Sequence, residues 1–183
     1  MQIEAVLAGF GGQGVMLAGK ILAQTGMMLG KEVVWLPSYG PEMRGGTANC
    51  TVIISDEPIA SPIIPHPRDA FVMNRPSLEK FVPMMRPGGV AVINTSLITV
   101  KPERDDVKVV NVTANKIAME VGSAKSSNMV MLGAYVGATD VVPFDALMKE
   151  AKKAFQKKAK LASINIKCLE QGYKLGQAAR AGH

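Results

Sequence analysis

The apolar positions of this chain switch between two periods. Residues 3–8 (IEAVLA) form a short apolar run rich in strand formers. Residues 15–29 (VMLAGKILAQTGMML) read as a buried helix, with Val15, Leu22, Met28 and Leu29 among its apolar positions and Gly30 placed to end it. Residues 31–36 (KEVVWL) return to strand. Strand, glycine turn, helix and strand in succession predict a βαβ unit, whose crossover builds parallel sheet. A polar, glycine-rich loop at 37–46 (PSYGPEMRGG) leads to a strand at 48–55 (ANCTVIIS). That loop is too short for a helical crossover, so mixed strand directions are expected.

Beyond it, residues 56–67 carry Pro58, Pro62, Pro65 and Pro67 and predict an irregular connection. Further strands are expected at 70–73, 90–94 and 107–112. A helix at 75–85 starts at Pro76 and is interrupted near Pro83. Thr113 or Asn115 can cap a helix running to Gly122. Residues 128–137 (NMVMLGAYVG) read as a buried helix of small residues, with Ser127 and Asn128 as its caps, and helices at 145–161 and 163–179 close the chain. The pattern predicts an α/β fold: a single three-layer domain over residues 1–183, with a mixed, mostly parallel sheet, a Rossmann-like start and helices on both faces.

Composition narrows the function classes. With 183 residues and 48% apolar content, the chain can bury a core without disulfides or metal. The 12 methionines suit irregular core gaps or contact surfaces. Cys50 and Cys168 lie far apart and cannot form a CxxC pair or a four-cysteine cluster site, and His66 and His183 suggest no metal site. No apolar run reaches the roughly 20 residues of a membrane helix, and no signal-peptide pattern opens the sequence. A cytoplasmic protein is expected. The net charge of +6 is concentrated in residues 149–160 (KEAKKAFQKKAK). With a single aromatic, Phe155, among its lysines, this stripe reads as a solvated helix face before it reads as a nucleic-acid surface.

Two loops carry candidate chemistry. Gly9, Gly11 and Gly14 match G-x-G-x-x-G between a strand and a helix, where backbone N–H groups can receive an anion. Gln13 can reach a ligand or brace the loop. A dinucleotide site also wants an acid at the end of the second strand, and here that strand ends in Leu36-Pro37-Ser38-Tyr39. This argues against NAD and leaves a diphosphate, a carboxylate, a neighbouring subunit or simple strand–helix packing. The second loop, Ser38-Tyr39-Gly40-Pro41-Glu42-Met43-Arg44-Gly45-Gly46, holds a phenol, a carboxylate and a guanidinium. Arg44 could bind a phosphate or carboxylate in bidentate fashion, or pair with Glu42 to brace the loop.

These same segments carry a family resemblance. GFGGQGV at 9–15, SYGPEMRGGTANC at 38–50, VIISDEPIASPII at 52–64 and SSNMVMLGAYVG at 126–137 resemble the gamma subunit of 2-oxoacid:ferredoxin oxidoreductases, most closely the 2-oxoglutarate type. The resemblance spans essentially the whole chain. It implies a complex that converts a 2-oxoacid, coenzyme A and oxidised ferredoxin to acyl-CoA, CO2 and reduced ferredoxin. Thiamine diphosphate, Mg²⁺ and iron–sulfur clusters belong to partner subunits, alpha and beta, with delta as a further candidate. Coenzyme A is the one ligand implied for this chain, held by Gly9, Gly11, Gly12, Gln13, Gly14 and Arg44. Ser38, Tyr39, Gly40, Pro41, Glu42, Met43, Gly45 and Gly46 would face the thiamine subunit. No residue is expected to be catalytic in isolation, and the isolated chain could pair with itself. Pyruvate, 2-oxoisovalerate and indolepyruvate enzymes share much of the pattern. Outside the family, the competing readings are a stand-alone nucleotide-binding oxidoreductase and a purely structural assembly subunit.

Overall fold

The computed structural model describes residues 1–39, 47–157 and 159–182. Its strands are β1 (Gln2–Phe10), β2 (Glu32–Tyr39), β3 (Thr47–Ser55), β4 (Asp69–Val72), β5 (Val90–Asn94) and β6 (Lys108–Val112). Its helices are α1 (Val15–Met28), α2 (Arg75–Phe81), α3 (Ala114–Val121), α4 (Ser127–Thr139), α5 (Phe144–Phe155) and α6 (Ala159–Ala181). None of the described helices is long and apolar enough to cross a membrane. A 3-10 turn at Val82–Met84 follows α2 where Pro83 interrupts the helical ladder. Residues 56–67 form no helix or strand, as their prolines predict.

One sheet has the order β2-β3-β1-β4-β5-β6. β1, β4, β5 and β6 pair in parallel, while β3 runs antiparallel to both β1 and β2. The opening βαβ unit therefore differs from expectation in one respect: β1 and β2 run the same way but are not neighbours. The short connection at 40–46 makes β2 and β3 a hairpin, and β3 takes the place beside β1. α1 ends as Gly30 predicts. Gly30 takes φ 73°, its N–H donates to Met27 O at 3.0 Å, and Lys31 N–H donates to Gly26 O at 3.1 Å. That is a Schellman closure, open to glycine because the left-handed region costs it nothing.

Helices cover both faces. On one face, α1, α3, α4, α5 and α6 pack over Ile3, Ala5, Leu7, Val52, Ile54 and Phe71. On the other, α2 and its 3-10 turn bury Leu78, Val82 and Met85 against Val6, Ala70, Val72, Ala91 and Ile93. α1 lies on the β2–β3 half through glycines: a side chain at Gly26 would meet Val33 at 2.9 Å, and Gly19 lies over Cys50 and Trp35. Burial pushes the Cys50 thiol up to about 12, with Trp35 acting in the opposite direction.

α4 is the central element. Every residue from Ser127 to Ala138 is buried, and Met129, Val130, Met131, Leu132 and Val136 each stabilise the fold by about 1.5–3 kcal/mol. It crosses α6 with almost no side chain between the backbones. Gly133 faces Leu169 O, Gly137 faces Tyr173 O, Gly172 faces Val130 O and Gly176 faces Ala134 O. α5 ends at Phe155 and α6 starts at Ala159 rather than at 163, because α5 follows α1 whereas α6 takes the direction set by this crossing. Lys149, Lys152, Lys153, Lys157 and Lys160 are exposed, and Lys153 sits 3.5 Å from the buried Glu150. Lys158 lies outside the described residues.

A second buried link joins α4 to the sheet. Tyr135 donates its hydroxyl to Asp69 Oδ2 at 3.0 Å, and Val90 N–H donates to Asp69 Oδ1 at 2.9 Å. Burial pushes the Asp69 carboxyl up, opposed by the Val90 N–H, Arg68 and Tyr135.

Two outcomes follow from these contacts. Gly172→Ala would drive a methyl group into Val130 O, so urea unfolding should show a loss of about 3 kcal/mol; an unchanged midpoint would mean the helices separate freely. For Asp69, the raised carboxyl means that the folded chain holds its proton more tightly than the unfolded chain. The stability linked to that proton is present below the ordinary carboxylate range and is lost as pH rises through the folded value. Asp69→Asn should remove the dependence, so wild-type stability minus variant stability should fall as pH rises from the ordinary carboxylate range through the higher folded value; parallel curves would contradict this.

Candidate functional site

The carboxyl ends of β1, β4, β5 and β6 share one edge of the sheet, and α1 and α2 leave that edge for opposite faces. Open α/β sheets bind ligands where connections diverge in this way. The glycine loop lies there. Gly9 is buried, and a side chain on it would meet Gln13 Oε1 at 2.6 Å and Met73 Cβ at 2.9 Å. Gly12 and Gly14 hold φ values of 95° and 77°, and Gly14 caps α1 without a side-chain hydrogen bond. Among the described residues nothing lies within 4 Å of a Cβ built on Gly12. The first turn of α1 thus presents backbone N–H groups with no side-chain cap over them.

Gln13 braces this loop. Its Oε1 accepts from Phe10 N–H at 2.6 Å and from Asn74 Nδ2 at 3.3 Å. Asn74 in turn accepts from Ser77 N–H at 2.9 Å and caps α2. The signal for Asn74 was present in Asn74-Arg75-Pro76, a capping residue before a proline at the helix start. Asn128 departs from expectation. It does not cap α4; its Nδ2 donates to Gly14 O at 3.0 Å, across 114 positions of sequence. Ser126 occupies the cap position of α4 without a side-chain bond. Thr113 likewise makes no cap bond for α3. That helix start is held from outside, with Ala114 N–H donating to Asn94 Oδ1 at 3.3 Å and Asn115 N–H to Ser96 Oγ at 3.1 Å. Nothing in local sequence reveals these long-range partners.

The second loop is located by its ends. Phe10 pairs with Thr47, Tyr39 with Ala48 and Ser38 with Asn49, so the hairpin turn begins and ends at the carboxyl edge of β1. The backbone of Tyr39 closes β2 and Ser38 is exposed. Gly40, Pro41, Glu42, Met43, Arg44, Gly45 and Gly46 lie outside the described residues, as do any contacts of Arg44. Among the described residues, no three His, Cys, Asp or Glu side chains cluster as a metal-ligand set. Cys50 and Cys168 are buried free thiols, and burial pushes Cys168 up to about 11. Neither offers a ready thiolate.

The loop geometry predicts an energetic coupling. Gly12→Ala should cost about 1–2 kcal/mol through its backbone conformation. Gly14→Ala should cost more, because its new methyl group would also displace the Asn128 amide. Adding Asn128→Ala should recover part of the Gly14→Ala loss in a thermal-unfolding double-mutant cycle. Strict additivity would show that Asn128 does not constrain the loop.

Comparison with known proteins agrees with this architecture. The family model described as pyruvate ferredoxin/flavodoxin oxidoreductase matches residues 4–175. Ketoisovalerate oxidoreductase subunit VorA of Methanothermobacter marburgensis is 35% identical over 173 residues, covering 93% of this chain but 36% of the relative. The chain thus spans little more than a third of that protein. 2-Oxoglutarate synthase subunit KorC of Methanocaldococcus jannaschii is 33% identical over 180 residues, covering 97% of this chain and 95% of the relative. The crystal structure of a keto/oxoacid ferredoxin oxidoreductase gamma subunit from Geobacter sulfurreducens superposes with a TM-score of 0.84 at 30% identity, covering 98% of both chains. The matched region runs from β1 through all six strands into α6, and the chain belongs to the pyruvate ferredoxin/flavodoxin oxidoreductase family.

Proposed function

We propose that this chain is the gamma subunit of a cytoplasmic 2-oxoglutarate:ferredoxin oxidoreductase, working with alpha and beta subunits, with delta as a further candidate, and with ferredoxin as acceptor. The observation that carries the reading is its end-to-end match to a free-standing KorC chain and to a free-standing gamma subunit. The 2-oxoglutarate assignment leans on the Glu42-Met43-Arg44 and SDEPIASP segments. The similarity to VorA makes 2-oxoisovalerate the nearest competing substrate.

In this reading the chain's own contribution is to bind and to enclose. Gly11, Gly12, Gln13 and Gly14, beside Gly9, would hold a phosphate group of coenzyme A on backbone N–H groups, with Arg44 supplying a guanidinium. Among the described residues, the space above Gly12 and the first turn of α1 without a side-chain cap suit such an anion. Coenzyme A supplies the thiol that accepts the acyl group. Ser38, Tyr39, Gly40, Pro41, Glu42, Met43, Gly45 and Gly46 would border the thiamine diphosphate of a partner and limit water there. The buried, high-pKa thiols of Cys50 and Cys168 are unsuited to ligating clusters, which fits redox centres carried by other subunits.

The test is to recover the tagged chain with its bound subunits and to assay ferredoxin-linked, coenzyme-A-dependent oxidation of 2-oxoglutarate, 2-oxoisovalerate and pyruvate. Preference for 2-oxoglutarate is the expected outcome; preference for another acid keeps the subunit and changes the substrate. In the same complex, Arg44→Ala should raise KM for coenzyme A about tenfold or more with little change in kcat. An unchanged KM with reduced assembly would move Arg44 to the subunit contact.

A further inference from the structure

Asn128 stands next to a run of buried apolar residues, Met129 to Leu132, and is itself only 3% exposed. An amide buried in such company costs stability unless it is bonded. Its Nδ2 donates to Gly14 O at 3.0 Å, and only the amide nitrogen can donate to a carbonyl, so the partner fixes how the side chain is turned. The same oxygen accepts from Ala18 N–H at 3.1 Å, the bond that begins the α1 ladder. Among the described residues, no other hydrogen bond from outside α1 and its loop reaches the backbone of residues 11–14. Gly14 does not fix its own orientation, because glycine takes either sign of φ at little cost, and here it holds φ 77°.

A peptide unit is planar and trans, so its C=O and N–H point in opposite directions. Gly14 O and Val15 N–H belong to one such unit. Holding the oxygen toward Ala18 and Asn128 therefore turns the Val15 N–H outward, past the start of α1. Among the described residues, no acceptor meets the N–H groups of Val15, Met16 or Leu17. We infer that Asn128 is a positioning residue for the anion site at the start of α1, aiming the Val15 N–H at a phosphate of coenzyme A through the Gly14–Val15 peptide. The inference rests on the coenzyme A reading above and adds to it a residue of α4, a helix outside both loops. Hydrogen bonds to charged oxygens are strong and weaken steeply with angle. A peptide plane freed by the loss of Asn128 thus weakens phosphate binding while the α1 ladder, held by Ala18, stays in place.

The experiment uses the purified complex and compares Asn128→Leu, which keeps the volume and removes the donor, with Tyr135→Phe, which removes the hydrogen bond to Asp69 from the same helix. Calorimetry measures Kd for coenzyme A with no 2-oxoacid present, and steady-state assays follow. Asn128→Leu should raise Kd and KM for coenzyme A about tenfold or more. It should leave KM for the 2-oxoacid, and kcat at saturating coenzyme A, close to wild type. Tyr135→Phe should lower the melting temperature and leave Kd unchanged. An equal rise in Kd with Tyr135→Phe would reduce Asn128 to a general support of α4 and overturn the inference. So would an unchanged Kd with lowered kcat. If Arg44→Ala weakens coenzyme A and Asn128→Leu does not, the loop site stands without this residue; if neither does, coenzyme A binds elsewhere and both readings fail. Should Asn128→Leu not assemble, amide exchange of the wild-type complex decides. Coenzyme A should then slow residues 12–17 and residues 126–129 together, and protection of the loop without α4 would overturn the inference.

Discussion

The backbone-to-backbone crossing of α4 and α6 is the constraint on which the rest of this structure depends. Four glycines, Gly133 and Gly137 on one helix and Gly172 and Gly176 on the other, each face a carbonyl of the partner helix. Helices this close gain dispersion along their whole contact but tolerate no added methyl group. The position of α4 is thereby fixed, and α4 reaches the sheet twice. Tyr135 meets Asp69 at the start of β4, and Asn128 meets Gly14 at the start of α1. The candidate site is therefore set by packing on the far side of the molecule as much as by its own loop.

The second constraint is topological. A hairpin inserts β3 between β1 and β2, which returns the β2–β3 turn to the end of β1. The two ends of the second loop, Tyr39 and Thr47, are thereby brought to the edge where the glycine loop leaves β1. The next described helix, α2, packs against β1 and β4, because the chain has moved to the β4 side before that helix forms.

Much of this was legible in the sequence. Strand and helix identities followed from local periodicity, and the mixed sheet followed from a loop too short to cross over. The Schellman closure at Gly30 and the break at Pro83 followed from residues whose backbone limits are intrinsic. The departures share one cause. Asn128 reads locally as a helix cap, yet it bonds Gly14; Thr113 reads as a cap, yet Asn94 and Ser96 hold that helix start. In each case a partner distant in sequence competes with the local bond and wins, and periodicity carries no information about such partners. The break between α5 and α6 was misplaced for a related reason, since the direction of α6 is set by its glycines meeting α4. For the candidate site, the glycine loop was legible as a shape, while Asn74 as the partner of Gln13 became visible only once β1 and β4 were neighbours.

The glycine crossing also orders events in time. Gly172 and Gly176 lie far downstream of Gly14 and leave the ribosome well after it. Until α6 is synthesised, α4 lacks the surface that seats it, and Asn128 cannot yet be held against the Gly14 carbonyl. The amino-terminal loop thus acquires its finished shape only after the carboxyl-terminal helix docks. A nascent chain can form β1 and α1 early, but the Gly14 loop waits for α6, so a copy truncated before α6 would lack the contact that finishes it.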